Sequence, residues 1–251
     1  MASTQAVPAA TSGLAAVLPE RLLGTAIRWV YPRVEPELAR LAEFVPRGGT
    51  AVDVGAWYGP WTARLLRRAD RVVAVEPTPP LARQLRAAFP SVEVVEAAVS
   101  DHVGTAALHL PAGGAIVGTS SLEDTGQGDP VEVRRITLDS LGLTDVRFVK
   151  LDIEGHELPA LRGAAETVRR DRPLLLIEVE ERIQPVGPLL DLLSGWGYRG
   201  SVLPGRSWVP LADFDLGGHQ RAAIARVGQS FARRVVWPRP RYVNSVLFRP
   251  E

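Results

Sequence analysis

The chain has 251 residues, no cysteine, a net charge of +1 and 46% hydrophobic residues, a profile that fits one α/β domain with additions built around a real core. The absence of cysteine excludes disulfides, thiolate metal sites and a cysteine nucleophile, and the near-neutral charge argues against a nucleic-acid binder. No run approaches the ~20 apolar residues of a membrane span. The start of the chain also lacks the basic and apolar segments of a secretory signal, so a cytoplasmic protein is expected.

Residues 1–12 are small and polar and read as loose. From 13 to 45, apolar residues recur at helical spacing, among them Leu14, Val17, Leu18, Leu22, Leu23, Ile27, Val30, Leu38, Leu41 and Phe44. This predicts two or three helices broken at Pro19 and Pro32, forming an N-terminal cap over residues 1–47. Their leucines exceed what a small cap buries, and a homodimer through this cap is expected; a monomer by light scattering would exclude it.

From residue 50, short β-branched runs at 51–54, 72–75, 92–95, 148–151 and 174–179 alternate with helical patterns at 60–68, 80–89 and 157–169. Nearly continuous apolar runs suit parallel strands buried on both faces, and the alternation predicts a doubly wound α/β sheet over residues 48–251. The stretch 105–137 reads as two strands around a long polar loop at 113–129, which contains Thr119, Ser120 and Ser121. Residues 205–241 form an Arg-rich insertion expected to face substrate, with His219, Arg221, Arg226, Arg233 and Arg234 as candidates. A solvated basic face is the alternative. A strand closes the chain at 242–248.

Asp53-Val54-Gly55-Ala56-Trp57-Tyr58-Gly59 follows the first strand and precedes a helix. A glycine at 55 lets the backbone turn and a ligand approach, and the next helix offers N–H groups. Glu76 ends the second strand about 20 residues further on, where an acid accepts hydrogen bonds from ribose hydroxyls. These residues, with Ala56, Tyr58 and Gly59, form a candidate site for S-adenosylmethionine (SAM), Asp53 lying near the methionine ammonium. Ser100 and Asp101 follow the third unit and are placed to border the adenine, Asp101 reading equally as a turn residue. A dinucleotide site has the same acid but a glycine-richer turn for its pyrophosphate.

Strand 148–151 delivers Asp152, Glu154, His156 and Glu157 to the same sheet edge, where ligands of open α/β sheets bind. Asp152, Glu154 and His156 are the catalytic candidates. His156 brings an imidazole able to take a hydroxyl proton, or is a solvent-facing helix-start residue. Asp152 also borders the cofactor. Glu157 is either cofactor-facing or a helix first-turn acid. Asp152 with Glu178 and Glu180 can hold Mg²⁺ against a sugar diol, with Lys150 as the alternative partner for these acids.

The run Val52-Asp53-Val54-Gly55-Ala56 through Gly59, Glu76-Pro77, Thr137-Leu138-Asp139-Ser140-Leu141, Lys150-Leu151-Asp152-Ile153-Glu154-Gly155-His156-Glu157 through Gly163, and Arg172-Pro173 to Glu178 resembles the FkbM family of methyltransferases. Trp57 departs from the family's usual Asn. The resemblance implies a Rossmann-like class I methyltransferase fold, a seven-stranded sheet with an antiparallel last strand. It also implies O-methylation of a saccharide or related small metabolite, an actinobacterial polysaccharide precursor being one case. O-methylation of a polyketide-type metabolite, an NAD-dependent oxidoreductase and a non-catalytic SAM-binding module are the competing readings.

Overall fold

The computed structural model describes residues 20–109, 122, 130–227 and 242–251, with side chains at 20–21 and 224–227 left undescribed. The 113–129 loop, with Thr119, Ser120 and Ser121, therefore falls outside the described residues, apart from Leu122. So do Leu14, Val17, Leu18, Arg233, Arg234 and the Arg226 side chain.

In chain order, α1 (Glu20–Val30) leads through a 3-10 turn (Tyr31–Arg33) to α2 (Pro36–Ala39) and α3 (Leu41–Phe44). β1 (Thr50–Val54), α4 (Thr62–Leu65), β2 (Arg71–Val75), α5 (Pro79–Ala88), β3 (Glu93–Val95) and β4 (Ala98–Val99) follow. Then come β5 (Gly104–His109), β6 (Pro130–Ile136), β7 (Val146–Leu151), α6 (Glu157–Arg162), α7 (Ala165–Asp171) and β8 (Leu174–Glu178). The chain ends with α8 (Gly187–Gly195), β9 (Tyr198–Val202), β10 (Val209–Pro210), α9 (Leu216–Val227) and β11 (Ser245–Pro250).

The main sheet runs β10-β9-β11-β8-β7-β1-β2-β3. β3, β2, β1, β7 and β8 are mutually parallel, and β11 lies antiparallel between β8 and β9. The antiparallel last strand and the Rossmann-like α/β class are as expected. The sheet has eight strands rather than seven, because β10 adds a two-residue antiparallel edge to β9. A separate three-stranded sheet, β4-β6-β5, holds the region that breaks the alternation.

Period-two alternation buries both faces. One face carries Val52, Val54, Val73, Val149, Leu175 and Ile177, packed by Leu161, Val168, Leu189 and Leu193. The other carries Ala51, Ala74, Phe148, Leu176 and Leu247, covered by Trp61 and Leu65 of the first crossover and by Leu38, Leu41 and Phe44 of the N-terminal helices. The N-terminal segment thus spends these apolar residues within its own chain, and among its described residues Leu22 and Trp29 are the exposed large hydrophobics. Trp61 stacks on Phe148, centroids 6.3 Å apart, an aromatic pair worth about 0.5–1.5 kcal/mol beyond area burial.

The sequence pattern underrated the Arg-rich stretch. Its described part forms α9, pinned by the buried Gln220, which donates to the carbonyls of Val179 (2.7 Å) and Val243 (3.0 Å) and accepts from the Glu181 N–H (2.9 Å). The 157–169 helix is two helices, α6 and α7, meeting at Gly163 and Ala164, and a Cβ on Gly163 would lie 2.0 Å from the Ser100 carbonyl oxygen.

Candidate active site

Three parallel strands, β2, β1 and β7, end side by side, and their following loops carry the candidate residues. Gly55 takes a left-handed φ of +76°, and a Cβ there would lie 1.9 Å from the Asp152 carbonyl oxygen. Glycine is therefore required by the neighbouring loop of β7, a reason other than the ligand approach expected from sequence.

The turn spends its N–H groups internally. Gly55 and Ala56 donate to the Val75 carbonyl at 3.0 and 3.2 Å, and Gly59 to Ala56. The Glu76 carboxylate accepts from Trp57 N–H and Thr78 N–H, both at 2.9 Å. Those groups are withdrawn from the pyrophosphate cradle that a dinucleotide needs. The helix expected at 60–68 is the single turn α4, so it adds no N-terminal anion site. Burial pushes the Glu76 carboxyl up, with these two N–H groups opposing.

Trp57 stands at φ +51° and Glu154 at φ +53°, both left-handed without being glycine. Such conformations cost of order 1–3 kcal/mol each and cluster at ligand sites. Asn tolerates this region far better than Trp, a physical reason for Asn at the Trp57 position. The ring is held by Tyr31 and Tyr58, at centroid distances of 5.6 and 5.0 Å. Leu23, Ile27 and Tyr31 of the N-terminal segment pack on Trp57, Tyr58 and Leu81, and Arg28 donates to the Tyr58 carbonyl at 3.1 Å.

Asp53 is fully buried and accepts from Thr62 Oγ1 at 2.5 Å. Its register partner on β7 is Lys150, whose Nζ stands 3.8 Å from Asp53 and 3.0 Å from Asp152. Lys150 meets Asp53 as its register partner on β1, and meets Asp152, two residues on, just past the end of β7. Burial pushes the Asp152 carboxyl up, but the Lys150 charge and the hydrogen bonds with Glu178 and Lys150 together outweigh it and the net shift is downward. Glu178 goes well above its ordinary range through burial, then the charges of Asp152 and Glu154. It is hydrogen-bonded to Asp152 and Asn244. Glu154 is pushed up to about 8, by burial first and Asp152 next.

The metal expectation changes. The carboxylate oxygens that converge within 4.8 Å belong to Asp152, Glu154 and Glu178. Glu180 is instead taken by Arg182 and Asn244. The trio does not fit a divalent cation well, since the Lys150 ammonium already sits 3.0 Å from Asp152 and would repel it.

His156 is turned away from this cluster. The loop bends through Glu154 and Gly155, and His156 Nε2 lies 2.9 Å from Ser100 Oγ. Ser100 donates to Asp101 at 3.1 Å, so its oxygen is left to accept from His156. Ser100 is buried, while Asp101 is exposed and pairs with His102 at 2.5 Å, which lowers its carboxyl pKa. Glu157 accepts from the N–H groups of Ile153 (3.1 Å) and Gly155 (3.3 Å), and so clamps the loop. Burial drives its carboxyl to about 7.

Sequence reasoning missed Glu35 and Tyr31. Glu35 accepts the Trp61 indole N–H at 2.6 Å and is hydrogen-bonded to Tyr31. It lines a narrow crevice together with Trp61, Lys150, Leu151, Asp152, Leu176, Glu178 and Ser245. The available signal was an acid two residues before the buried Glu37 and Leu38, in a helical segment that must cover the Lys150 face.

Residues 53–199 match the methyltransferase FkbM domain. Among solved structures, the chain is similar to an FkbM methyltransferase from Methylobacillus flagellatus, at 20% identity over 67% of this chain and 44% of that one, with a TM-score of 0.47. It thus spans less than half of that protein's length. It is also similar to a TehB-like SAM-dependent methyltransferase from Corynebacterium glutamicum (14% identity, 93% and 100% covered, TM-score 0.46). A third is a SAM-dependent O-methyltransferase from Thermotoga maritima (11%, 86% and 64% covered, 0.43). No curated protein matches the chain. No helix among the described residues is long and apolar enough to cross a membrane.

Proposed function

We propose, from the premise that this chain belongs to the FkbM methyltransferase family, that it is a SAM-dependent O-methyltransferase acting on a hydroxyl of a saccharide or related small metabolite. The observation that carries this reading is the charge balance at the ends of β1, β7 and β8. Glu35, Asp53, Asp152, Glu154 and Glu178 gather there around the Lys150 ammonium. These carboxyl groups outnumber the one ammonium and raise one another's pKa, so a singly charged, diffuse cation beside them would favour their ionised forms where a compact divalent ion is repelled by Lys150; the sulfonium of SAM is such a cation.

The residues that would hold the cofactor are Gly55 to Gly59, Glu76 towards the ribose, Ser100 and Asp101 towards the adenine, and Asp152 towards the methionine end. SAM supplies, when bound, a methyl group made electrophilic by its sulfonium. The chain's part is to align a hydroxyl, exclude water and take up a proton. Acceptor choice rests with the crevice, whose acids and Ser245 can hydrogen-bond neighbouring hydroxyls.

Glu76→Gln is expected to weaken S-adenosylhomocysteine (SAH) binding about 10- to 100-fold, the value of hydrogen bonds to a charged group, and to lower the melting temperature, since its amide NH₂ cannot accept from both Trp57 N–H and Thr78 N–H. Calorimetric titration alongside thermal melting checks it, and unaltered affinity contradicts the ribose role. The reaction itself is tested by incubating SAM with a panel of methyl glycosides and measuring SAH release and O-methyl products. Products whose yield is indifferent to EDTA are expected. Transfer to none of them contradicts the saccharide assignment, and transfer only with added Mg²⁺ contradicts the metal-free one.

A further inference from the structure

We propose that Glu35, contributed by the N-terminal segment, is the catalytic base that receives the proton of the acceptor hydroxyl. This rests on the methyl-transfer reading above and adds to it a residue outside the matched 53–199 domain.

The crevice beside the cofactor edge exposes three carboxyl groups, on Glu35, Asp152 and Glu178. Asp152 is paired with Lys150 at 3.0 Å, and a carboxylate held below its ordinary range is a weak base. Glu178 accepts from Asn244 and lies against Asp152, and burial together with the Asp152 charge pushes its carboxyl well above the ordinary range. Asp53, buried against Thr62, does not line the crevice.

Glu35 remains, and it is oriented. Its Oε2 accepts the indole N–H of Trp61, which is 1% exposed and stacked on Phe148. The groups facing it are Tyr31 and Glu37 on its own segment, Lys150 and Asp152 on β7, and Glu178 on β8. Burial pushes its carboxyl up to about 7, with Asp152 and Glu37 adding and Lys150 and Trp61 opposing. A base matched to neutral pH is both ionised and strong enough to act. In the balanced step, the hydroxyl oxygen gains the methyl group that leaves the sulfonium sulfur. The O–H proton passes to Glu35, the donor departs as a neutral thioether, and Glu35 returns the proton to water.

The test compares the wild type with Glu35→Gln, whose amide oxygen still accepts from Trp61. The first readout is the Trp61 indole N–H resonance followed by NMR from pH 5 to 9. It is expected to titrate near pH 7 in the wild type and to stay flat in the variant. The second is SAH affinity by calorimetry, expected to agree within about 3-fold. The third is SAM-dependent transfer to methyl glycosides, expected to fall about 10²- to 10⁴-fold. An indole signal that does not titrate, or transfer retained in the variant, overturns the proposal. So does loss of SAH binding and transfer together, which marks a structural role. A wild type that fails to bind SAH instead sinks the methyl-transfer reading on which the proposal stands.

Discussion

Replacing Lys150 by methionine lowers the stability of the folded chain by about 3–5 kcal/mol at neutral pH, the cost of breaking a buried ion pair on one side. Lys150 is 5% exposed and stands between Asp53 and Asp152. Methionine fills the space of the stem but leaves two carboxyl groups in low dielectric without their cation. The pH dependence follows from the signs. Lys150 is raised above its ordinary range, its burial outweighed by Asp152, Asp53 and Glu35. Its contribution is therefore complete below about 10.5 and is lost as the pH rises through its folded value. Without it, Asp152 loses what held it down, and its ionised form becomes a penalty that protonation relieves. Urea unfolding at pH 8 and pH 5.5 should show a deficit that shrinks at the lower pH. A deficit under about 1 kcal/mol at pH 8 contradicts the ion-pair assignment.

Gly55→Ala is expected to cost about 2–5 kcal/mol and to abolish measurable SAH binding. Two terms add. An L-residue in the left-handed region costs roughly 1–2 kcal/mol, and overpacking a filled position costs typically 1–3 kcal/mol. The atom in the way is a backbone oxygen, Asp152 O, at 1.9 Å from the new Cβ. Relief means moving the β7 loop away from the end of β1, which carries Asp152 out of the site. Denaturant unfolding and calorimetry on the same sample check both parts. A variant of near wild-type stability that binds SAH would falsify the close-approach account of this turn.

The parts of the fold legible in the sequence were those with a strong period or a local constraint. The runs 51–54, 72–75 and 148–151 had to be parallel strands because they are apolar on both faces, and the glycine pattern marked the tight turn after β1. Glu178 and Asp152 were legible as neighbours because both end buried strands. Pairing across register was not: that Lys150 meets Asp53 depends on how β1 and β7 align, which a single chain does not declare. The contact of His156 with Ser100 was not legible for a related reason. Two left-handed residues turn the loop just before it, and only Gly155 carried a sequence signal for that. Glu35 was invisible because its role comes from tertiary packing of the N-terminal segment against Trp61. α9 was underrated because its anchor is a buried glutamine satisfied by backbone groups, where a hydrophobic stripe would have been seen.

The most direct test of the central claim is calorimetric titration of the purified chain with SAM, SAH and NAD in the presence of EDTA. Micromolar binding of both adenosyl ligands is predicted, with SAM favoured by its sulfonium charge and NAD showing no heat. Binding of NAD in place of the adenosyl ligands, or no adenosyl binding at all, contradicts the account.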